Sequence, residues 1–303
     1  MDHDVFVITP EVQGALNDRR AVVALESTVI AHGLPQPLNF EIALELEQIV
    51  RDAGAIPATI GVVEGRLFVG LDEGQIRLMA RQDGIHKLSR RDLPIAVAQK
   101  WNGATTVATT MWIAHQAGIE VFATGGIGGV HRGALPDVSA DLPELERLPM
   151  VVVCAGAKIV LDLPATREWL ETHGVTVIGY KCDDMPAFYS RKSGLPIDAR
   201  ADFAQDVAGI FVARKRLNLA GSVLLTVPVP KEFEVPDQEL ESILSHALLE
   251  AEKHDIRGKE ITPFLLSRMS ERSNGATLKA NLALLRQNAR VASEVAASLR
   301  NHR

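Results

Sequence analysis

The sequence predicts an α/β fold in which a mixed, mostly parallel sheet is covered by helices on both faces. Short runs of β-branched and apolar residues, with the length of buried strands, recur along the chain. Segments with apolar residues at helical spacing separate these runs, and this alternation is typical of parallel sheets in α/β proteins. No glycine-, serine- or proline-rich linker divides residues 1–303, so we expect a single domain.

The apolar runs predict buried strands, in chain order Ala21 to Leu25, Ile119 to Ala123, Met150 to Cys154, Val175 to Tyr180 and Ser222 to Val227. Between the first two, residues 62–69 have the pattern of two short strands joined at Glu64-Gly65. The strands of such a hairpin are antiparallel, which is why we expect the sheet to be mixed.

Two helices are predicted from residues that favour helix ends. Asn39 is expected to cap a helix that ends at Gly54. The apolar face of this helix would be Ile42, Leu46, Ile49 and Val50. Asp237 is expected to cap a later helix with apolar spacing over three turns, formed by Leu240, Ile243, Leu244, Ala247, Leu248 and Ala251.

The C-terminal part of the chain contains residues that favour the start and the end of helices. Thr262-Pro263 predicts a helix start, with threonine at the cap and proline at the first position. Residues 273–275, Ser-Asn-Gly, should end that helix before a final helix that begins at about Thr277. We expect residues 297–303 to fray.

Composition excludes several classes of function. With 47% hydrophobic and 23% charged residues, the 303-residue chain is typical of a soluble globular protein with a sizeable core. A formal net charge of −6 without a long basic run argues against nucleic-acid binding. No apolar stretch approaches the roughly 20 residues of a membrane helix. Cys154 and Cys182 indicate neither a disulfide framework nor a thiolate metal site, so we expect a cytoplasmic protein without membrane partners.

Lys158 lies between the apolar residues 150–157 and the largely apolar residues 159–163. A lysine in such surroundings loses hydration, which disfavours its ammonium form and leaves an amine able to attack a carbonyl-type carbon. Lys158 is therefore a candidate covalent nucleophile. The alternative is a lysine whose stem crosses apolar surface while its head reaches water.

Glu26 follows the first predicted strand and precedes a loop rich in glycine and proline. A carboxyl group at this position can act as a general acid if burial raises its pKa toward neutrality. The alternative is a solvated loop glutamate.

The glycine-rich residues 124–133 begin at the carboxyl end of the strand that ends at Ala123, where α/β proteins bind ligands. The dinucleotide-binding fingerprint is excluded because His131 occupies the position of its third glycine. The glycines can instead let backbone amides approach a small anion, with Arg132 as the positive charge. A tight turn is the alternative.

Asp137 and Asp141 follow the glycines, with no histidine or cysteine at metal-ligand spacing. A few hard oxygen ligands suit Mg²⁺ or Mn²⁺ that keeps several waters, and they exclude a closed zinc site. The alternative is structural, because Asp141 and Glu144 have the spacing of a capping box.

Three further segments carry candidate binding residues. Lys87 belongs to a compact basic cluster that suits phosphate recognition or simple solvation. Residues 102–107, ending at Val107, have small and hydroxyl side chains at a predicted helix start, suited to an anion or to a plain cap. Asn281 is a poor helix former between apolar helix positions, and it contacts substrate or is exposed.

Together these segments resemble the pseudouridine-5′-phosphate glycosidase family, also known as indigoidine synthase A. The resemblance covers about residues 15 to 295. It runs through Glu26-Ser-Thr-Val-Ile-Ala-His-Gly33, Ser89-Arg-Arg-Asp-Leu-Pro94, Asn102-Gly-Ala-Thr-Thr-Val107, Thr124-Gly-Gly-Ile-Gly-Gly-Val-His-Arg-Gly133, Val153-Cys-Ala-Gly-Ala-Lys158, Pro186-Ala-Phe-Tyr-Ser-Arg-Lys-Ser-Gly194 and Gly258-Lys-Glu-Ile-Thr-Pro-Phe-Leu-Leu266.

The resemblance implies a three-layer α/β/α domain that assembles as a homotrimer and binds Mn²⁺, with Mg²⁺ or another divalent ion as the alternative. It implies reversible cleavage of the C–C glycosidic bond of pseudouridine 5′-phosphate to uracil and ribose 5-phosphate. Such an enzyme is a pseudouridylate synthase or glycosidase, of the carbon–oxygen lyase class.

By the same resemblance, Lys158 would be the nucleophile and Glu26 the proton donor. Asp137 would hold the metal ion, helped through water by Asp141. The residues in contact with substrate would be Lys87, Val107, Ser139, Ala140, Asp141 and Asn281.

The chemistry explains why a lysine belongs in such a site. A C-glycosidic bond has no leaving heteroatom to protonate, so two carboxylates alone are insufficient. A neutral lysine that attacks C1′ while the ribose ring opens leads to an imine, and formation of the imine helps to expel uracil. Glu26 would protonate either the ring oxygen or the departing uracil.

Two other functions share the same residues. Another lysine-imine lyase or aldolase acting on sugar phosphates would use Lys158 but would not respond to uracil. A non-catalytic protein that senses a sugar phosphate would bind its ligand without forming a product.

Overall fold

The structure is a computed structural model that describes residues 4–81, 83–133, 137–256 and 258–301. The strands of these residues belong to one sheet. They are, in chain order, β1 Phe6–Ile8, β2 Val22–Leu25, β3 Ile56–Val63, β4 Arg66–Val69, β5 His86–Leu88, β6 Gly103–Thr105, β7 Val121–Ala123, β8 Val151–Cys154, β9 Thr176–Tyr180, β10 Ala199–Ala201 and β11 Val223–Thr226.

The sheet is mixed and mostly parallel, which confirms the predicted fold class. Its order is β1-β4-β3-β2-β7-β8-β11-β9-β10, and the β5-β6 pair joins β3 through β6. β3 is antiparallel to β4 and β6, and the other pairs are parallel. The turn between β3 and β4 has positive φ at Glu64 (50°) and Gly65 (77°), as a tight hairpin requires.

Helices cover both faces of the sheet. Helices α2, α8 and α11 pack side by side against the sheet, and α6 packs between α5 and α7 in the other row. The α-helices of the described residues are α1 Pro10–Asn17, α2 Leu38–Asp52, α3 Glu73–Ala80, α4 Leu93–Ala98, α5 Val107–Ala117, α6 Asp141–Arg147, α7 Leu163–Thr172, α8 Ala204–Arg216, α9 Asp237–Lys253, α10 Ile261–Arg272 and α11 Ala276–Arg300.

The central strands are buried along their whole length. Every residue of β2, β8 and β11 is buried. Because helices cover both faces of the sheet, these strands have continuous apolar sequences rather than alternating ones. All five predicted runs are therefore strands, each shortened by one or two residues at its ends. No helix of the described residues combines the length and the apolar character needed to span a bilayer.

The predicted N-terminal cap of α2 is wrong. The helix begins at Leu38, and Asn39 lies inside it. The Asn39 side chain is buried and donates to the carbonyl oxygens of Ile30 and Ala80, both at 2.9 Å. Asn39 thus connects the start of α2 to two neighbouring segments. Its side-chain amide makes these tertiary hydrogen bonds instead of capping the helix. The predicted end is confirmed, because Gly54 follows the helix with φ of 80°.

Two other predicted caps and the frayed terminus also need correction. Asp237 is the first residue of α9 and makes no capping bond. Thr262 lies inside α10, which begins one residue earlier because a short 3₁₀ turn at Gly258–Glu260 leads into it. The helix α11 continues to Arg300, since Leu299 is buried against the core. Residues 302 and 303 lie outside the described residues.

Candidate active site

The site forms where three neighbouring parallel strands end. In the sheet, Leu25 at the end of β2 pairs with Ala123 at the end of β7, and Ala123 pairs with Val153 of β8. The residues directly beyond these strands therefore lie side by side, as expected at the carboxyl edge of an α/β sheet. A cavity of about 270 Å³ opens at this edge.

The cavity collects the residues predicted for catalysis, substrate contact and metal binding. They come from six separate segments of the chain and now share one space. They are Glu26, Lys87, Val107, Asp137, Ser139, Ala140, Asp141, Lys158 and Asn281. Asn281 is only 7% exposed, so the interpretation as an exposed helical asparagine is wrong.

Lys158 lies on the loop that follows β8 and is half-buried. Its backbone N–H donates to the carbonyl oxygen of Ile127 at 3.1 Å, and its Nζ donates to the carbonyl oxygen of Gly126 at 2.8 Å. The loops after β7 and β8 are thus tied together, and their contacts direct the amine along the cavity wall. The alternative, a head group that extends into bulk water, is not what the structure shows.

Glu26 follows β2 and is half-buried at the base of the cavity. Its Oε1 accepts a hydrogen bond from the Thr124 hydroxyl, which follows β7. Burial raises the pKa of the Glu26 carboxyl, although the positive charge of Lys158 and the Thr124 hydrogen bond oppose this rise. The solvated alternative is therefore wrong, and the carboxyl is suited to general-acid chemistry.

Lys87 brings a second amine to the cavity. It lies on the short strand β5 and is half-buried. Burial lowers the pKa of the Lys87 amine, and the charge of Lys158 lowers it further, while Asp141 and Glu26 act in the opposite direction. Two amines and two carboxyl groups therefore influence one another across this space.

Asp141 is the first residue of α6, and both of its carboxylate oxygens accept backbone hydrogen bonds. Oδ1 accepts from Ala108 N at 2.9 Å, and Oδ2 accepts from Gly128 N at 2.8 Å. Asp141 thus connects the start of α5 to the glycine-rich loop. The capping-box alternative is wrong, because α6 has no side-chain cap and Glu144 instead pairs with Arg90 at 3.0 Å.

The glycine-rich loop has a different purpose from the predicted one. A Cβ atom at Gly126 would lie 2.7 Å from Phe188, and one at Gly128 would lie 2.2 Å from Ser139. These glycines permit close packing, and the Gly128 amide serves Asp141 rather than a ligand. Arg132 is exposed and does not line the cavity, since its Nε donates to the Leu161 carbonyl oxygen at 3.1 Å. Arg132 therefore does not supply the charge of an anion site in this cavity, and that part of the prediction is wrong.

Asp137 lies at the edge of the cavity and is exposed. Among the described residues, no group of three or more His, Cys, Asp or Glu side chains is placed to share a metal ion. Mg²⁺ and Mn²⁺ bind through one or two carboxylates together with water and substrate phosphate. Asp137, with Asp141 nearby in the cavity lining, fits this kind of binding but not a cage made only of protein ligands.

Several lining residues were not predicted individually. His32, Arg91 and Phe188 line the cavity. In the part of the chain that the structure describes, His32 Nε2 is buried without a hydrogen-bond partner. Burial and the charge of Lys87 lower the pKa of His32. His32 and Phe188 belong to motifs already noted in the sequence, and Arg91 belongs to the basic cluster, but nothing in the sequence showed that they face one cavity.

Comparison with known proteins identifies the family of this chain. The model of the family described as indigoidine synthase A like protein matches residues 11–298. The chain belongs to this family. The resemblance inferred from motifs is thereby confirmed.

Members of the indigoidine synthase A-like family with curated names cover nearly the whole chain. A Geobacillus kaustophilus protein named pseudouridine-5′-phosphate glycosidase is 50% identical over 299 residues, which is 98% of this chain and 99% of the relative. A Herpetosiphon aurantiacus protein with the same name is 52% identical over 296 residues, covering 97% of this chain and 98% of the relative.

Solved structures in this family share the fold. An indigoidine synthase A-like protein of Thermotoga maritima has a TM-score of 0.91 at 38% identity, covering 99% of this chain and 98% of that one. A prealnumycin C-glycosynthase in complex with ribulose 5-phosphate has a TM-score of 0.90 at 40% identity, covering 98% of both chains.

Proposed function

We propose that the protein reversibly cleaves the C–C glycosidic bond of pseudouridine 5′-phosphate to uracil and ribose 5-phosphate. The observation that carries the proposal is the meeting of Lys158 and Glu26 in one cavity, with the Glu26 pKa raised. The names of the curated relatives support this substrate. A neighbouring structure that binds a pentose phosphate supports the same class of ligand.

Part of the cavity lining suits a phosphate group. Lys87 and Arg91 line it, together with Thr106 and Val107 at the start of α5. Thr106 occupies the cap position of α5 without a side-chain capping bond. The start of a helix presents backbone N–H groups and partial positive charge to an anion. The 5′-phosphate would therefore be held by these groups.

Lys158 would carry the covalent step. Its nitrogen forms a bond to C1′ while the bond from C1′ to the ring oxygen breaks, the ring oxygen takes a proton, and loss of one amine proton leaves a secondary amine on C1′. The bond from C1′ to C5 of uracil then breaks, C5 takes a proton as uracil leaves, and the nitrogen lone pair forms the C1′=N bond of the imine. Water adds to C1′, the bond to Lys158 breaks, and ribose 5-phosphate is released.

Glu26 would supply the proton, either to the opening ring oxygen or to the departing uracil. Burial is the main reason that it can hold a proton above the ordinary range of a glutamic acid. Val107, Ser139, Ala140 and Asn281 would contact the substrate around these two groups.

A divalent cation, Mn²⁺ or Mg²⁺, would be held by Asp137 with help from Asp141 through water. When bound, it would add positive charge near the substrate phosphate. We also propose that the protein is cytoplasmic and assembles as a homotrimer, which light scattering on the purified protein would test.

The test of the proposed function is product formation. The purified protein, supplied with uracil, ribose 5-phosphate and Mn²⁺, should form pseudouridine 5′-phosphate, and it should release uracil from that product. An aldolase-type lyase would not respond to uracil, and a sensing protein would bind without turnover. Either of those results would overturn the proposal.

A further inference from the structure

Glu26 also lines a second, smaller cavity. This cavity of about 10 Å³ lies among residues of β2, β3 and α2, including Thr59 of β3 and Asn39 of α2. Such a volume is just enough for one water molecule, which needs at least two polar partners. Glu26 and Thr59 both line the small cavity, and their side chains carry oxygens of the kind that such a water needs.

Thr59 leads from this small cavity toward α2. It is buried, and in the register of β2 and β3 it pairs with Leu25, the residue that precedes Glu26. Its Oγ1 donates to Glu47 Oε1 at 2.5 Å. Because the hydroxyl hydrogen points to Glu47, the Oγ1 lone pairs remain able to accept from a water in the small cavity.

Glu47 lies between this threonine and the protein surface. Burial raises the pKa of the Glu47 carboxyl, against the Thr59 hydrogen bond and the charge of Arg51. The other titratable group that acts on it is Glu11, which raises its pKa. Arg51 and Glu11 form an exposed ion pair with a hydrogen bond of 2.9 Å. Glu47 can therefore hold a proton close to solvent, and the proposed chemistry does not use it.

We propose that Glu47 and Thr59, with one water molecule in the small cavity, form a proton relay between Glu26 and the protein surface. This inference rests on the proposed function, because that function makes Glu26 the proton donor. In this relay Glu47 and Thr59 are positioning residues that act through Glu26 and do not touch the substrate.

The relay moves protons by exchange of O–H bonds. In the outward direction, Glu26 gives its proton to the water, the water gives one to Thr59 Oγ1, and Thr59 passes its own hydrogen to Glu47. Each O–H bond that breaks is replaced by one that forms. The net change is a carboxylate at Glu26 and a carboxyl at Glu47, and the reverse sequence restores the acid form of Glu26.

The proposed reaction gives this path a use. Bound substrate covers the face of Glu26 that looks into the main cavity, where Lys158, Lys87 and Asp141 are the charged groups that act on it. Uracil leaves with a proton, so the acid must be restored before the next turnover. Hydrolysis of the imine later frees one proton from water, so a full turnover takes up no net proton. The relay restores the acid earlier, while the main cavity is filled, and it returns that later proton to the surface.

The test compares the first turnover with later ones in the full-length protein. Glu47→Gln keeps an acceptor for Thr59 but cannot carry the proton, and Thr59→Val removes the hydroxyl. Thr59→Ser retains it. Glu45→Gln is the matched control, because Glu45 lies on the same helix but pairs with Arg286 at 2.7 Å, away from the small cavity.

We expect the single-turnover rate with excess enzyme to stay within about twofold of wild type in Glu47→Gln and Thr59→Val, because Glu26 begins protonated. The steady-state rate should fall about tenfold, with a larger solvent isotope effect than in wild type. Thr59→Ser and Glu45→Gln should resemble wild type in both rates.

Unchanged steady-state rates in both relay variants would overturn the relay, as would an equal loss in the first and later turnovers. A high-resolution crystal structure of the wild-type protein gives a test that does not depend on how the variants fold. It should place one water between Glu26 and Thr59, and a dry small cavity would contradict the relay. Wild-type protein that releases no uracil would instead refute the proposed function.

Discussion

The cavity has two sides that are built differently. On the sheet side, Glu26, Lys158 and Asp141 follow or face the ends of parallel strands, and hydrogen bonds hold their side chains. On the outer side, residues 137–139 are held through their backbone. His131 N donates to the Asp137 carbonyl oxygen at 2.8 Å, and Ser139 N donates to the Gly129 carbonyl oxygen at 2.9 Å. The side chains of Asp137 and Val138 are exposed.

In the proposed function, this difference separates chemistry from binding. A group that transfers a proton or forms a bond must be held in a fixed place, and the sheet side provides that. A group that holds a hydrated ion needs access to water, and the outer side provides that. Substitutions on the sheet side should therefore reduce turnover or stability, and those on the outer side should mainly weaken binding.

The largest effect is expected at Lys158. Lys158→Ala should reduce uracil release by at least about 10⁴-fold, because no imine can form without the amine. Lys158→Arg should be equally inactive although it keeps a positive charge. Thermal melting would confirm that both variants are folded. Substantial turnover by either variant would place the covalent chemistry elsewhere.

The next effect is expected at Glu26. Glu26→Gln should lower kcat by about 10² to 10⁴-fold and leave KM nearly unchanged, because the amide can accept the Thr124 hydrogen bond but cannot donate a proton as an acid does. Burial raises the pKa of this carboxyl, so its acid form persists above the usual range. In wild type, kcat should then fall as pH rises through that raised value. If Glu26→Gln kept some activity and its kcat fell over the same pH range, the fall would belong to another group.

Two aspartates test the two sides directly. Asp141→Ala leaves the Ala108 and Gly128 amides without their acceptor, so the free energy of unfolding should fall by about 2 to 4 kcal/mol. Asp137→Ala should change it by less than about 0.5 kcal/mol, as an exposed residue does. It should instead raise the Mn²⁺ concentration needed for half-maximal activity about tenfold or more. Chemical denaturation and metal titration measure both, and the opposite pattern would reverse the assignment of the two sides.

The smallest effect is expected at Asn281. Asn281→Ala should raise KM about fivefold, which corresponds to the loss of one hydrogen bond worth about 1 kcal/mol. Asn288 on the same helix is the matched control, because its amide donates to the Thr124 carbonyl oxygen at 2.8 Å. Asn288→Ala should lower the melting temperature, whereas Asn281→Ala should not. An unchanged KM in Asn281→Ala would show that Asn281 makes no hydrogen bond to the substrate.

The sequence predicted the central strands well because both of their faces are buried, so apolar residues run without interruption. The β3–β4 hairpin was equally clear, since Glu64-Gly65 suits a tight turn. The strands β5 and β6 were not predicted. They have three residues each, and their pairing depends on tertiary contacts rather than on any local pattern. The cap at Asn39 was wrong for the same reason, because distant carbonyl groups use its amide.

The candidate residues of the site could be chosen from local surroundings and from the family motifs, but their contacts could not. Glu26 meets Thr124 only because β2 lies beside β7 in the sheet. Asp141 accepts from amides that lie 33 and 13 residues away along the chain. Strand order decides both contacts, and the alternation of strands and helices does not specify that order.

The most direct test of the account is reductive trapping on Lys158. Borohydride added during turnover with pseudouridine 5′-phosphate should reduce the imine and leave a ribose phosphate adduct on the peptide that contains Lys158, with loss of activity in proportion. An active enzyme whose Lys158 stays unmodified under these conditions would contradict the account.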